Sequence, residues 1–199
     1  MSRAPVVLGI AGSPRRHGNS DRLLDAALAG AKAAGAEVRT LVAANAALKH
    51  CLGCNACALT GECIQHDGGP AVYEAIDAAD GIIIASPVYF AGVPSVLKTL
   101  LDRMQPYWAR TYVLKRPRPE RRPGAVLLAR GGGDPYGSEH AEATVRSVLA
   151  VLDIDVLGVV RAVGVDGPGE VEAHPEPIEE ARALGAQVAA EAARRTRQR

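Results

Sequence analysis

Aromatic residues are scarce in this 199-residue chain: five Tyr, one Trp and one Phe, 4% of the sequence. The core must therefore be built from Val, Ile, Leu and Ala, and an aromatic placed off a regular element becomes a candidate for binding rather than packing. Charge of one sign is lacking too. With 23 basic and 22 acidic residues the formal net charge is +1, which gives no global reason to expect a nucleic-acid or membrane-surface partner. Long hydrophobic runs are missing: Ala75 to Ala85 is broken by Asp77, Asp80 and Gly81, so no segment reads as a bilayer span. No export signal is visible either, because Met1-Ser2-Arg3-Ala4-Pro5 leads straight into a short apolar strand. The expectation is a cytoplasmic protein with reduced thiols, not a disulfide framework. Cysteine, finally, is absent everywhere except between residues 51 and 63.

The remainder has the balance of one folded domain, 48% apolar and 23% charged. Val6 to Ile10 reads as a strand buried on both faces. Asn19-Ser20-Asp21 supplies N-cap chemistry for a helix with Leu23, Leu24, Ala27, Leu28 and Ala31 on one side. Glu37 to Val42 is a second strand, Pro70 to Ala79 a short helix, and Gly81 to Ala85 a third strand. A helix from Ser95 to Met104, a strand from Ala125 to Ala129, a helix from Ser138 to about Leu152, a strand from Val156 to Val163 and a helix from Ile178 to Ala193 complete the order. Strands alternate with helices and are too apolar to have a wet face, which predicts a parallel sheet covered on both sides. Two segments break the alternation. One is the cysteine loop at about residues 45–69, the other the proline-broken basic run Lys115 to Arg122, which reads as a solvated connector or as a dock for an anionic group.

Cys51, Cys54, Cys57 and Cys63 form C-x2-C-x2-C-x5-C, two C-x-x-C units sharing their middle cysteine with a fourth thiol within reach. Such clustering suits a soft metal or an iron–sulfur centre. Four cysteines also satisfy tetrahedral zinc, with His50 or His66 able to replace one.

Gly12-Ser13-Pro14-Arg15-Arg16-His17-Gly18-Asn19-Ser20 lies between the first strand and the first helix. A phosphate there would meet backbone N–H groups, the positive helix end, the Ser13 and Ser20 hydroxyls, the Asn19 amide and the Arg15 guanidinium. The loop lacks the Walker lysine. It also lacks the dinucleotide glycine spacing and an acid after the second strand, so a mononucleotide phosphate fits best. Arg16 and His17 read as solvated. After the third strand, Pro87-Val88-Tyr89-Phe90 offers two aromatics on a stiffened loop, suited to a flat heteroaromatic ring or to folding back over the sheet edge. Gly131-Gly132-Gly133 follows the fourth strand, where backbone can approach such a ring or simply turn. Tyr107 and Trp108 suit either a cofactor mouth or a subunit contact.

Gly12-Ser13-Pro14-Arg15 with Gly18-Asn19-Ser20, then Ser86 to Phe90, then Val93-Pro94-Ser95 through Leu97-Lys98 to Asp102-Arg103, resemble the NADPH-dependent FMN reductase superfamily. Within it, the cysteine motif resembles that of the iron–sulfur flavoproteins, although His66-Asp67 stands where relatives commonly carry paired aspartates. The resemblance implies a flavodoxin-like, doubly wound five-stranded sheet of order 2-1-3-4-5, bound FMN, and a homodimer or homotetramer. It implies that Ser13, Arg15, Asn19 and Ser20, with Gly18, hold the phosphate. Pro87, Val88, Tyr89 and Phe90 and the glycines from Gly131 would frame the isoalloxazine. Cys51, Cys54, Cys57 and Cys63 would hold a [4Fe–4S] cluster that exchanges electrons with FMN, often across a subunit interface. All four singled-out segments follow strands and are expected at one sheet edge.

Three functions compete. The first is an iron–sulfur flavoprotein passing electrons between a carrier and a small-molecule acceptor, with ferredoxin as a compatible partner. The second is a cluster-free NAD(P)H-dependent FMN or quinone reductase. The third is a non-catalytic zinc or thiol redox sensor. No general acid or base stands out.

Overall fold

The fold is seen in a computed structural model, which describes residues 3–198. Five strands, β1 (Val6–Ala11), β2 (Glu37–Val42), β3 (Gly81–Pro87), β4 (Arg122–Arg130) and β5 (Ile154–Val163), form one parallel sheet in the order β2-β1-β3-β4-β5. The expected order is met. Helices α1 (Asn19–Ala33), α2 (Cys57–Thr60), α3 (Gly69–Asp77), α4 (Ser95–Asp102), α5 (Gln105–Trp108), α6 (Glu139–Val151) and α7 (Pro175–Arg197) occupy the crossovers and the C-terminal end. Among the described residues, no helix is long and apolar enough to cross a membrane.

Alternation along each strand divides the core in two. Val7, Ala11, Ile83, Ala85, Ala125 and Leu127 point toward α1 and α7. Leu8, Ile10, Ile82, Ile84, Val126 and Leu128 point toward α3, α4 and α6. Helices α1 and α7 touch backbone to backbone: a Cβ on Gly30 would stand 2.0 Å from the Arg182 carbonyl oxygen, and one on Gly185 1.9 Å from that of Ala27. Only glycine allows that approach.

In the basic run Lys115 to Arg122, residues 115–121 are exposed, as a solvated connector would be, but Arg122 is buried. β4 begins at Arg122, earlier than expected, and its buried guanidinium donates to the Ile76 and Ala79 carbonyls at the end of α3 and to Leu152 at the end of α6. One cation thus satisfies the negative ends of two helices. Arg118 pairs with Asp153, Arg121 with Asp155, and Arg116 donates to the Thr60 carbonyl in the cysteine loop at 2.7 Å.

Candidate functional site

At the carboxyl ends of the strands a cavity of about 480 Å³ opens over the first crossover. Its walls include Ser13, Arg15, Gly18, Asn19 and Ser20 from the loop into α1, and Pro87, Val88 and Tyr89 after β3. These meet at the switch point because β1 and β3 are neighbours whose connections leave on opposite faces. Ser13 and Ser20 are buried, and the Ser13 hydroxyl accepts the Arg15 N–H at 3.0 Å. Arg16, expected to be solvated, also lines the cavity and pairs with the buried Asp21 carboxylate at 3.1 Å. His17 takes a left-handed turn (φ 59°) that aims its N–H at the same carboxylate. With Arg16 and the His17 N–H engaged by Asp21, an incoming anion finds Arg15, the hydroxyls and the first-turn N–H groups of α1.

Three of the expected residues are placed differently. The Asn19 side chain is committed elsewhere: it donates to the Val165 and Gly167 carbonyls at 3.2 and 2.9 Å and accepts the Val171 N–H at 3.1 Å. It anchors the segment after β5 while Asn19 remains among the residues lining the cavity. Phe90 does not line the cavity. Phe90 and Ala91 both have positive φ (51° and 60°) between the reciprocally bonded Tyr89 and Gly92, a tight reversal that leaves the phenyl ring fully exposed. Of the glycine run, only Gly131 lines the cavity. A Cβ on Gly131 would stand 1.9 Å from the carboxylate of the exposed Asp166, which would have to swing aside.

The cysteines lie apart from this cavity. After β2 the chain passes alongside α4, with Ala43, Ala44 and Leu48 sharing a small depression with Ser95 and Thr99, instead of staying at the sheet edge. A second cavity, about 360 Å³, is lined by Cys51, Cys54, Cys57 and Cys63 with Asp102, Arg103, Gln105 and Pro106 at the other end of α4. The two cavities share no lining residue. An eight-residue helix, ~12 Å of rise, lies between their walls. The expectation of one common edge therefore fails for the cysteine segment, which α4 carries down the face of the sheet.

All four thiols are free, with Cys54 exposed and the others half-buried. Burial pushes the Cys57 thiol up, helped by the three neighbouring cysteines. Neither His50 nor His66 lines the cavity. No three His, Cys, Asp or Glu side chains converge on a single metal position among the described residues. Three arginines hold the loop: Arg110 donates to the Gly61 carbonyl at 2.8 Å, Arg116 to Thr60, and the buried Arg103 to Asp67, the Lys49 carbonyl and the Cys63 sulfur. Trp108 is half-exposed beside Tyr112, whereas Tyr107 bonds Asp77 at 2.9 Å and lines neither cavity.

The family model for NADPH-dependent FMN reductases matches residues 5–166. The chain belongs to that family. It is 35% identical to an iron-sulfur flavoprotein of Archaeoglobus fulgidus over 92% of this chain and 78% of that one. It is 34% identical to an iron-sulfur flavoprotein of Methanocaldococcus jannaschii over 92% of this chain and 95% of that one. Its fold matches RosB, solved with a bound 8-demethyl-8-formylriboflavin-5'-phosphate intermediate, with a TM-score of 0.70 at 18% identity over 98% of this chain and 80% of that one.

As an FMN-dependent oxidoreductase of the FMN reductase family, the protein needs a cavity for a phosphorylated flavin, and the cavity over α1 has the right donors. Among the described residues, the buried Ser13 and Ser20 hydroxyls, the Arg15 guanidinium and the α1 N-terminus would meet a phosphate there, and Tyr89 and the strand ends would wall a ring. Sequence reasoning missed Arg130 and the segment Val165, Asp166, Gly167 and Pro168, which close the cavity opposite the phosphate loop. The signal was available in Gly164 to Gly169, a glycine-rich turn broken by Pro168 directly after β5.

Proposed function

We propose that this FMN-dependent oxidoreductase is an iron–sulfur flavoprotein whose four cysteines hold a [4Fe–4S] cluster. The observation that carries the reading is a single cavity lined by all four cysteines and by no histidine. A cubane takes one thiolate at each of four separate irons, so four cysteines lining one cavity, with no three side chains converging on a single metal position among the described residues, suit it better than one tetrahedral zinc. The names of the curated relatives support the same reading. When bound, FMN supplies two-electron and one-electron transfer, which lets a nicotinamide or a ferredoxin-type carrier be joined to a small-molecule acceptor. The chain's own part is to grip the phosphate with Ser13, Ser20, Arg15 and the α1 amides, to wall the ring with Pro87 to Tyr89, and to keep the thiol loop in place with Arg103, Arg110 and Arg116.

Anaerobic purification tests it. Brown protein with about four irons per chain and FMN supports the proposal, and yellow, iron-free protein sinks it. The separateness of the two cavities favours one second reading, a cluster-free NAD(P)H:quinone or flavin reductase. Rapid bleaching of FMN by NADPH in iron-free protein that turns over at full rate would select it.

We further propose a homo-oligomer in a reducing cytoplasm. Leu52, Leu59, Ile64, Trp108, Tyr112 and Val113 are all at least two-fifths exposed, and they belong to the cysteine loop and the adjoining α5 turn. That much apolar surface around a redox centre suits coverage by a second copy.

A further inference from the structure

We propose that Arg103 is a positioning residue for the cysteine centre: clamped by Asp67 in the cavity wall, it places a fixed positive charge at the Cys63 sulfur and raises the reduction potential of the cluster. The inference rests on the iron–sulfur reading above.

The geometry is that of a purpose-built clamp. The Arg103 and Asp67 side chains are 1% and 3% exposed. Nη1 of Arg103 donates to Asp67 Oδ2 at 2.5 Å and to the Lys49 carbonyl at 2.9 Å. Nη2 donates to Asp67 Oδ1 at 3.1 Å and to Cys63 Sγ at 3.5 Å. Asp67 in turn accepts the Lys49 N–H and the Gly69 N–H, both at 2.9 Å, so one carboxylate closes the two ends of the cysteine loop. Gly69 has no side chain where the guanidinium sits: a Cβ would stand 2.8 Å from Nη2. From the other side, the Tyr73 hydroxyl donates to the Arg103 carbonyl at 3.0 Å.

Loop closure accounts for the bonds to Lys49 and Gly69, but not for a guanidinium nitrogen turned to the Cys63 sulfur. A buried ion pair is no more stabilising than well-packed apolar residues of similar volume. What an apolar pair lacks is a cation facing a sulfur, and arginine stays charged at every working pH. Cluster potentials follow net charge and hydrogen bonds to the sulfurs. Reduction adds negative charge, so a neighbouring guanidinium favours the reduced state.

The sign gives a test that a structural role would not pass. In iron-loaded, anaerobically purified protein, the cluster and flavin couples are measured by spectroelectrochemistry. Arg103→Met removes the cation and should move the cluster potential negative. Asp67→Asn leaves the cation uncompensated and should move it positive, while Arg103→Lys stays nearest to the wild type. The flavin couple, in its separate cavity, should hold still in all three. Shifts of Arg103→Met and Asp67→Asn in one direction, or no shift, overturn the inference. Should Arg103→Met fail to load iron, an Asp67→Asn potential at or below that of the wild type overturns it. Iron-free wild type overturns it together with the iron–sulfur reading. Iron-loaded wild type with unmoved variants overturns it alone.

Discussion

Replacing Asn19 by alanine separates two roles that the sequence assigns to one side chain. If the amide anchors the segment after β5, the substitution removes two donated bonds and one accepted bond, all between 2.9 and 3.2 Å. The site is half-buried, so each bond is taken at the low end, about 0.5–1 kcal/mol net. The sum is roughly 2 kcal/mol, and in a chain of this length that lowers Tm by about 4–8 °C. Calorimetry or circular dichroism on the flavin-free protein reads the change directly. Asn19→Asp should be worse at neutral pH, because it sets a carboxylate oxygen against the Val165 and Gly167 carbonyls. Its deficit should shrink as the acid is protonated. If Asn19→Ala leaves the flavin-free Tm unchanged and only weakens FMN binding, the amide is a phosphate ligand and the positioning argument is wrong.

Gly131→Ala places a Cβ 1.9 Å from the carboxylate of Asp166, an exposed side chain that can swing aside. FMN affinity by fluorescence titration should therefore fall by less than about tenfold, ~1.4 kcal/mol. A larger loss would show that the carboxylate must keep its place for the cofactor to bind. The Asp67 carboxyl is held well below the ordinary carboxylate range, chiefly by the hydrogen bond from Arg103. Its stabilisation is therefore complete above the unfolded value near ~3.9 and fades as pH falls toward the lower folded value. Asp67→Asn should cost about 3–5 kcal/mol at pH 7 by leaving the Arg103 charge unpaired. The gap to wild type in urea melts should begin to narrow below pH 4; a gap constant to pH 2 contradicts the linkage. Leu59 is 82% exposed on the cysteine helix. Leu59→Ser should leave protomer stability within about 0.5 kcal/mol while lowering the mass found by light scattering, and an unchanged mass argues against its place in a subunit contact.

The local pattern of apolar runs, helical spacing and turn residues was enough to determine five strands and the helices between them, while the strand order came with the family resemblance. The central strands β1, β3 and β4 carry contiguous apolar runs buried on both faces, whereas the edge strands β2 and β5 stay partly exposed. The phosphate loop was legible for the same reason: its chemistry is contiguous. Only the tertiary structure decided what depends on distant partners. Arg122 reads as one more charge in a basic run until two helix ends converge on it. Asn19 reads as a phosphate ligand until residues 165–171, far along the chain, come to it. The cysteines could be counted from sequence, but their displacement along α4, and the guanidinium facing one of their sulfurs, required the helix to be laid across the sheet. Periodicity records which face of an element is buried; it carries nothing about which remote polar group will meet it there.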